Sequence, residues 1–418
     1  MLFIYIYLTK LFIAPQWWLE PFIGIRVDLI LYPIWLTYIS LTKTHYFYKL
    51  STLDKYLILF VGWLLISILF NEKNGLSVQH ATQYVLWLVM FKLFQATVLD
   101  LETLKKVVMA LCIVVFVLVV EGIQHKLSAD GLGWAGQDLG WVQKEVLAAG
   151  GTGRTRWVSI FDGPGVFCIA YTTALPFVMR YLFMPVKTKI KLVSLVFTLL
   201  FLLAIYYTGS RGGFLAALTI ITLFIMYKSN LSMSKLAMIF GLLVVLFAMA
   251  PSHLTNTKDS SNSAQHRVDM WGKGATMARY NPVFGVGRGN YKRHSYLLIA
   301  HNSMIEIMAE TGFPGVFLWL CVLYLAFKNL YVYHKKEEKE ENKMFAAAVA
   351  ISLAGYFVSS IFVTAEFETM YMIIAFAGVI GSISKEEIKL TMREKLLVMG
   401  TVIFVFLFTK FFVSIYFS

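Results

Sequence analysis

One polar stretch gathers most of the side chains in this chain that could do chemistry. It runs from His266-Arg267-Val268-Asp269-Met270-Trp271 through Gly285-Val286-Gly287-Arg288-Gly289-Asn290-Tyr291 and His301-Asn302-Ser303-Met304-Ile305-Glu306 to Gly312-Phe313-Pro314-Gly315. An imidazole titrates near neutrality, so His301 suits a general base. Guanidinium is planar, always charged and bidentate toward phosphate, so Arg267 and Arg288 suit the handling of an anion. A third arginine, Arg211, stands apart in Thr208-Gly209-Ser210-Arg211-Gly212-Gly213. Two readings of Arg211 are open: an arginine snorkelling at a membrane boundary, or an anion clamp.

Spacing adds to this. A helix starting at His301 would place Asn302, Glu306 and Glu310 at i, i+4 and i+8, on one face. Gly312-Phe313-Pro314-Gly315 should break that helix. Arg267 is expected to open a helix lying along the membrane surface, with Val268, Trp271, Ala275, Met277 and Ala278 apolar, ending near Tyr280-Asn281-Pro282. The run around Gly287 could wrap backbone N–H groups around a phosphate. No strand precedes it and no βαβ unit is visible, so it is no dinucleotide fingerprint. The stretch holds no His-x₃-His pair and no cysteine, so neither metal nor cofactor is expected.

The elements that must position these residues are membrane spans. Of 418 residues, 58% are hydrophobic and 15% charged, a composition outside the range of ordinary soluble proteins. Apolar runs long enough to cross a hydrocarbon core of about 30 Å recur throughout. The expected class is all-α: a polytopic helical bundle of about 12–13 spans in one integral-membrane domain, 1–418. The spans are read at 2–15, 22–42, 53–71, 78–98, 104–122, 160–183, 190–208, 212–228, 235–252, 313–333, 344–365, 367–383 and 396–416. Met1 to Pro15 lacks a small-residue cleavage site and is read as a short first span. The formal charge of +13 is assigned to cytoplasmic loops and anionic lipid, with no nucleic acid as partner. Cys112, Cys168 and Cys321 fall inside apolar spans and read as small core residues.

Basic residues orient the spans. Lys105 and Lys106; Lys187, Lys189 and Lys191; and Lys335, Lys336, Lys339 and Lys343 mark alternate loops as cytoplasmic. The loops 123–159 and 253–311 then lie outside, the second as an active-site loop carrying short interfacial helices. That loop holds Arg267, Lys273, Arg279, Arg288, Lys292 and Arg293, against the rule, and binding an outside anion would explain it. Trp134, Trp141 and Trp157 in the first loop could stack on sugars or sit in an interfacial belt.

These parts suit glycosyl transfer from a lipid diphosphate. Nucleotide sugars are not supplied outside the cytoplasm, so a donor there must ride on a lipid carrier. Arginines can neutralise the diphosphate leaving group without a metal, while a base deprotonates an acceptor hydroxyl. A single in-line displacement would invert the anomeric carbon. A transporter or lipid flippase is the rival class. It would show polar or broken helices near mid-membrane in symmetric halves, whereas here the polar residues gather at one face and the halves look unalike.

Arg267-Val268-Asp269-Met270-Trp271, Asn281-Pro282-Val283-Phe284-Gly285-Val286-Gly287, His301-Asn302 and Glu310-Thr311-Gly312-Phe313-Pro314-Gly315 together resemble the O-antigen ligase and polymerase superfamily of bacterial membrane glycosyltransferases. Ser210-Arg211-Gly212-Gly213 followed by Leu215 is similar to the same family. The likeness is specific over about 205–320. It implies a GT-C-like bundle in the bacterial inner membrane with its site facing the periplasm. It also implies an undecaprenyl-diphosphate-linked glycan as donor, a glycan or lipid A-core as acceptor, and no metal. By the same resemblance Arg211 and Arg267 handle the diphosphate and His301 activates the acceptor, with Arg288, Glu306, Asn302 and Gly287 as further substrate contacts. Phe161-Asp162-Gly163-Pro164-Gly165 departs from the family's Pro-Asn pair. The spacing after His301 tilts toward a ligase; a polymerase extending a lipid-linked glycan and a protein O-glycan ligase share the skeleton. The orientation has a direct test: cysteines replacing Asp130 and Ser260 should react with an impermeant maleimide in intact cells lacking the outer membrane. Labelling only after lysis would invert the topology.

Overall fold

A computed structural model describes residues 1–17, 27–42, 49–128, 133–134, 153–229, 238, 257–384, 386 and 388–416. The described residues form thirteen α-helices and no strand. In order these are α1 (Leu2–Leu8, continued by a π turn over Thr9–Ile13), α2 (Val27–Thr42), α3 (Thr52–Leu69), α4 (Gly75–Thr97), α5 (Leu101–Leu127), α6 (Pro164–Phe183), α7 (Thr188–Thr208), α8 (Arg211–Lys228), α9 (Thr257–Tyr280), α10 (Ser303–Lys336), α11 (Glu340–Ser360), α12 (Glu368–Ile383) and α13 (Met392–Tyr416). The protein is all-α and polytopic. Eight of the helices (α3, α5, α6, α7, α8, α10, α11 and α13) are long and apolar enough to cross a membrane. α4 has the length, at 23 residues, but carries Gln79, His80, Gln83, Lys92 and Gln95. The expected span at 235–252, apart from residue 238, and most of the loop 123–159 lie outside the described residues.

Two boundaries differ from the sequence reading. The span read to residue 365 stops as a helix at Ser360, and 361–367 form a non-helical link before α12. α9 begins at Thr257, ahead of Arg267, and ends at Tyr280 as expected.

The chain divides into two compact units. The first comprises Met1–Leu31, Leu101–Thr255 and Glu337–Phe362. At its centre is α6, packed against α5, α7, α8 and α11. Its Phe167, Cys168, Tyr171, Ala174 and Leu175 are fully buried. The Ser352 hydroxyl of α11 donates to the Thr173 carbonyl at 2.7 Å, in the turn of α6 that precedes Pro176. The turn between α7 and α8 is held from outside the helices. Arg154 donates from Nε to the Thr208 carbonyl (3.0 Å) and from Nη2 to the Gly209 carbonyl (3.1 Å). Those carbonyls close α7 and have no partner within it. Ser210 then caps α8, accepting from the Gly213 N–H at 3.2 Å.

The second unit comprises Tyr32–Asp100, Asn256–Lys336 and Val363–Ser418. At its centre is α10, packed against α3, α9, α12 and α13, while α4 packs on α3 and α12. α10 is broken at Gly312, whose φ of 70° and ψ of −174° are not helical. A side chain there would also collide with the Val283 carbonyl. The expected break at Gly312–Gly315 is therefore present. The Trp63 indole donates to the Thr311 carbonyl at 2.9 Å, and the Phe313 N–H donates to the Pro282 carbonyl at 2.9 Å, so groups released by the break find partners.

One buried ion pair ties α3 to α4. The Lys92 ammonium lies 2.8 Å from Asp54, with side chains 9% and 2% exposed. It also donates to Gln95 and to the Lys49 carbonyl. Asp54 additionally closes the capping box with Ser51 at the start of α3. Asp54→Ala should therefore cost about 3–5 kcal/mol, because it strands a buried ammonium and removes the cap. Asp54→Ala combined with Lys92→Met should recover part of that loss. Thermal unfolding in detergent checks both, and equal loss in the single and double variants would refute the account.

Candidate active site

The site is built within the second unit, at the start of α10. Asn302 is its cap: the side-chain oxygen accepts from the N–H groups of Met304 (3.1 Å) and Ile305 (3.2 Å). Ser303 is fully buried, and its hydroxyl accepts from the Ala365 N–H at 2.9 Å. The 361–367 link is thus fixed against the helix start. On the other side, the Trp271 indole of α9 donates to the Ala300 carbonyl at 2.9 Å, and the Tyr291 hydroxyl donates to the Met270 carbonyl at 2.5 Å. These bonds hold the 281–302 connection to the buried face of α9, which carries Val268, Ala275, Met277 and Ala278.

Behind this lies a buried charge cluster. Arg288, 3% exposed, places Nη1 2.6 Å from Glu310 Oε2 and 3.7 Å from Glu306 Oε1, and Nη2 3.3 Å from Glu366 Oε2. Its guanidinium also sits 5.5 Å from the Tyr84 ring centroid. Each carboxylate has a further donor. Glu310 Oε1 accepts from the N–H groups of Gly289 (3.0 Å) and Tyr291 (2.8 Å), Glu306 Oε2 from the Thr364 hydroxyl (2.8 Å), and Glu366 Oε1 from the Tyr371 hydroxyl (2.6 Å). Three carboxylates around one guanidinium leave an excess of negative charge. Burial raises the Glu366 carboxyl above its ordinary range, the direction that relieves the excess.

The glycine run therefore cradles an anion, but the anion is the protein's own. Gly285, Gly287 and Gly289 have φ values of +64°, +85° and +90°, which turn the N–H groups of Gly289 and Tyr291 onto Glu310. Gly285 also runs so close to α10 that a Cβ would collide with the Glu310 carbonyl carbon. The N–H groups of Gly289 and Tyr291, which the sequence offered to a phosphate, are taken by Glu310. Gly287 lies against Asn71, and Arg288 is turned inward. Glu306 and Glu310 do share the expected face, whereas Asn302 sits just before the helix as its cap.

His301 and Arg267 remain nearer the surface, both half-buried. His301 does not start the helix; it precedes Asn302 with a left-handed φ of 50°. Burial, and then the positive charge of Arg267, push its imidazole down to about 4. At neutral pH it is unprotonated, so it can accept a proton. Arg211 belongs to the first unit, where it is exposed and opens α8.

Sequence reasoning missed Glu366, Thr364 and Ser303. The signal for the first two was the polar interruption Thr364-Ala365-Glu366 between two apolar runs. Glu310 was visible as one of the stretch's carboxylates, but not as the residue that closes the glycine run. Among the described residues, no group of three or more His, Cys, Asp or Glu side chains could hold a metal ion.

Residues 196–320 match the family described as O-antigen ligase. The match takes in Arg211, Arg267, the glycine run, His301 and the break in α10. It supports membership of the O-antigen ligase and polymerase superfamily, and with it a ligase- or polymerase-class activity. A comparison with curated proteins finds no match. The His301 environment makes its own prediction. Histidine NMR in micelles, assigned with His301→Gln, should show His301 titrating near 4. Arg267→Gln should move it upward, yet leave it below about 6.5, since burial is the larger cause. Titration of His301 in the ordinary range in the native protein would refute this environment.

Proposed function

We propose that this protein transfers a glycan from an undecaprenyl-diphosphate carrier to an acceptor hydroxyl, at the periplasmic face of the bacterial inner membrane, as an O-antigen ligase. The observation that carries the proposal is the half-buried, unprotonated His301 beside the permanent charge of Arg267. An imidazole near 4 is a weak base, but it is fully unprotonated at neutral pH, and the negative charge of a donor diphosphate bound nearby would raise its basicity. His301 takes the hydroxyl proton while the oxygen attacks the anomeric carbon. The bond from that carbon to the diphosphate oxygen breaks, and undecaprenyl diphosphate departs with the bonding electrons. Arg267 offsets the charge that gathers on the leaving group, a role for which a fixed guanidinium needs no metal. One displacement of this kind inverts the anomeric configuration.

Arg288, Gly287, Glu306 and Asn302 act in this proposal as the frame. Arg288 and Glu306 carry the charge cluster beneath the helix start, Gly287 lets the glycine run turn, and Asn302 fixes the first turn of α10 next to His301. The role that the family resemblance gives Arg211, contact with the donor diphosphate, is kept as a separate proposal.

The test is reconstitution of purified protein with an undecaprenyl-diphosphate-linked glycan and lipid A-core. Native protein should move the glycan onto lipid A-core. His301→Ala and Arg267→Ala should each lower turnover by on the order of 10²–10⁴-fold while remaining folded. Arg211→Ala in the same assay tests its separate role. Extension of the lipid-linked glycan instead, lost in the same variants, would make the protein a polymerase, and transfer to a protein acceptor would make it a protein O-glycan ligase. Turnover indifferent to both His301→Ala and Arg267→Ala would remove this site from the chemistry.

A further inference from the structure

The connection just before His301 carries a feature that catalysis does not use. Tyr296, Leu297 and Leu298 are 82%, 77% and 44% exposed, three consecutive large apolar side chains at the tip of a turn. The tip is built rather than slack. Tyr296 and Leu297 both have left-handed backbone, with φ of 52° and 67°. Such a conformation is unfavourable for a bulky L residue and persists only where neighbours enforce it. Here Ser295, fully buried, holds its hydroxyl between the carbonyls of Tyr291 (2.8 Å) and Leu298 (2.6 Å), which share its one proton. The Leu297 N–H donates to the Lys292 carbonyl at 2.8 Å. The backbone is strained in order to point apolar side chains outward.

The surroundings say what receives them. The Lys273 ammonium of α9 lies 3.6 Å from the Tyr296 ring centroid. The neighbouring turn of α9 packs on the last turns of α13: Trp271 and Phe412 have ring centroids 6.2 Å apart, and Gly272 lies against Val413. α13 is apolar enough to cross a membrane, and on these same turns Phe411 and Ile415 are exposed. The apolar tip thus lies, across Lys273, beside the turn of α9 that meets the end of a membrane span. Beside it Lys292, Arg293 and His294 are exposed, and Arg293 reaches Glu72 at 2.9 Å. Apolar side chains bordered by cations fit the boundary between acyl chains and phosphate headgroups.

We propose that the 291–300 turn is a membrane anchor. Tyr296, Leu297 and Leu298 insert into the bilayer leaflet at the carboxyl-terminal end of α13, with Lys292 and Arg293 at the lipid phosphates. His301 follows three residues after Leu298, so the anchor sets its depth at the headgroup layer. The anchor stands independently of the glycosyl-transfer reading.

The experiment is electron paramagnetic resonance on the full chain, with Cys112, Cys168 and Cys321 replaced by alanine and a nitroxide on Leu297→Cys. The protein is reconstituted into vesicles of phosphatidylethanolamine and phosphatidylglycerol. A label in the acyl region relaxes more with oxygen than with a water-soluble nickel chelate, and the expected result is that order at position 297. A label on Arg293→Cys should show the reverse order. Tyr296→Cys serves as the second apolar position should Leu297→Cys fail to reconstitute. Preference for the nickel chelate at 296 or 297 would place the tip in water and overturn the proposal. Inaccessibility to both agents would mean that protein covers the tip, and would overturn it equally.

Discussion

The ion pair between Arg288 and Glu310 is the constraint on which the candidate site depends. Glu310 takes the guanidinium on one oxygen and two backbone N–H groups on the other, so one carboxylate satisfies donors from three successive parts of the glycine run. The single hydroxyl proton of Ser67 on α3 is shared between the carbonyls of Phe284 (2.6 Å) and Glu310 (2.8 Å), and the Asn290 amide donates to the carbonyls of Glu72 and Val286. Where the surroundings are largely apolar, backbone polar groups must find partners inside the protein. A folded loop between α9 and α10 is stable here because Glu310 and Ser67 supply them.

That arrangement also separates framework from chemistry. The most heavily charged part of the site is also the most buried, with Arg288 turned onto the protein's own carboxylates, which suits a support and not a contact with substrate. His301 and Arg267 lie outside this cluster and keep access to the surface. The two levels meet at Asn302 and Ser303, which join the helix start to His301 on one side and to the 361–367 link on the other. A change in the buried cluster would therefore reach His301 through backbone position more than through direct charge.

Much of the architecture was legible in the sequence because the bilayer imposes a simple rule of length and apolarity. Most of the described helices fall within a few residues of the apolar runs, and the break at Gly312 follows from the crowding of Gly312, Pro314 and Gly315. The shared face of Glu306 and Glu310 follows from their spacing alone. The partner of the glycine run did not, since N–H groups arranged for an anion look alike whether the anion is a ligand or a side chain some twenty residues on. The link at 361–367 was hidden for another reason. Ile361, Phe362, Val363, Ala365 and Phe367 are apolar enough to be read as the continuation of two spans, although Ile361 and Phe362 already leave the helix, their N–H groups donating back to the Val358 and Ser359 carbonyls. The left-handed backbone of His301 could not be read at all, because it comes from fastenings at Ala300 and Asn302 that are distant in the chain or invisible in residue type.

The break in α10 bears on how the chain enters a bilayer in the first place. A continuous helix over Ser303–Lys336 would present Glu306 and Glu310 to the insertion machinery in its first turns, where carboxylates are unfavourable in hydrocarbon. With Gly312 outside helical geometry, the segment offered to lipid starts at Phe313 and holds no acidic residue before its far end. The two carboxylates can wait on the water side until Arg288, already synthesised, is beside them. A glycine chosen for its backbone thus decides which residues the nascent chain must commit to hydrocarbon.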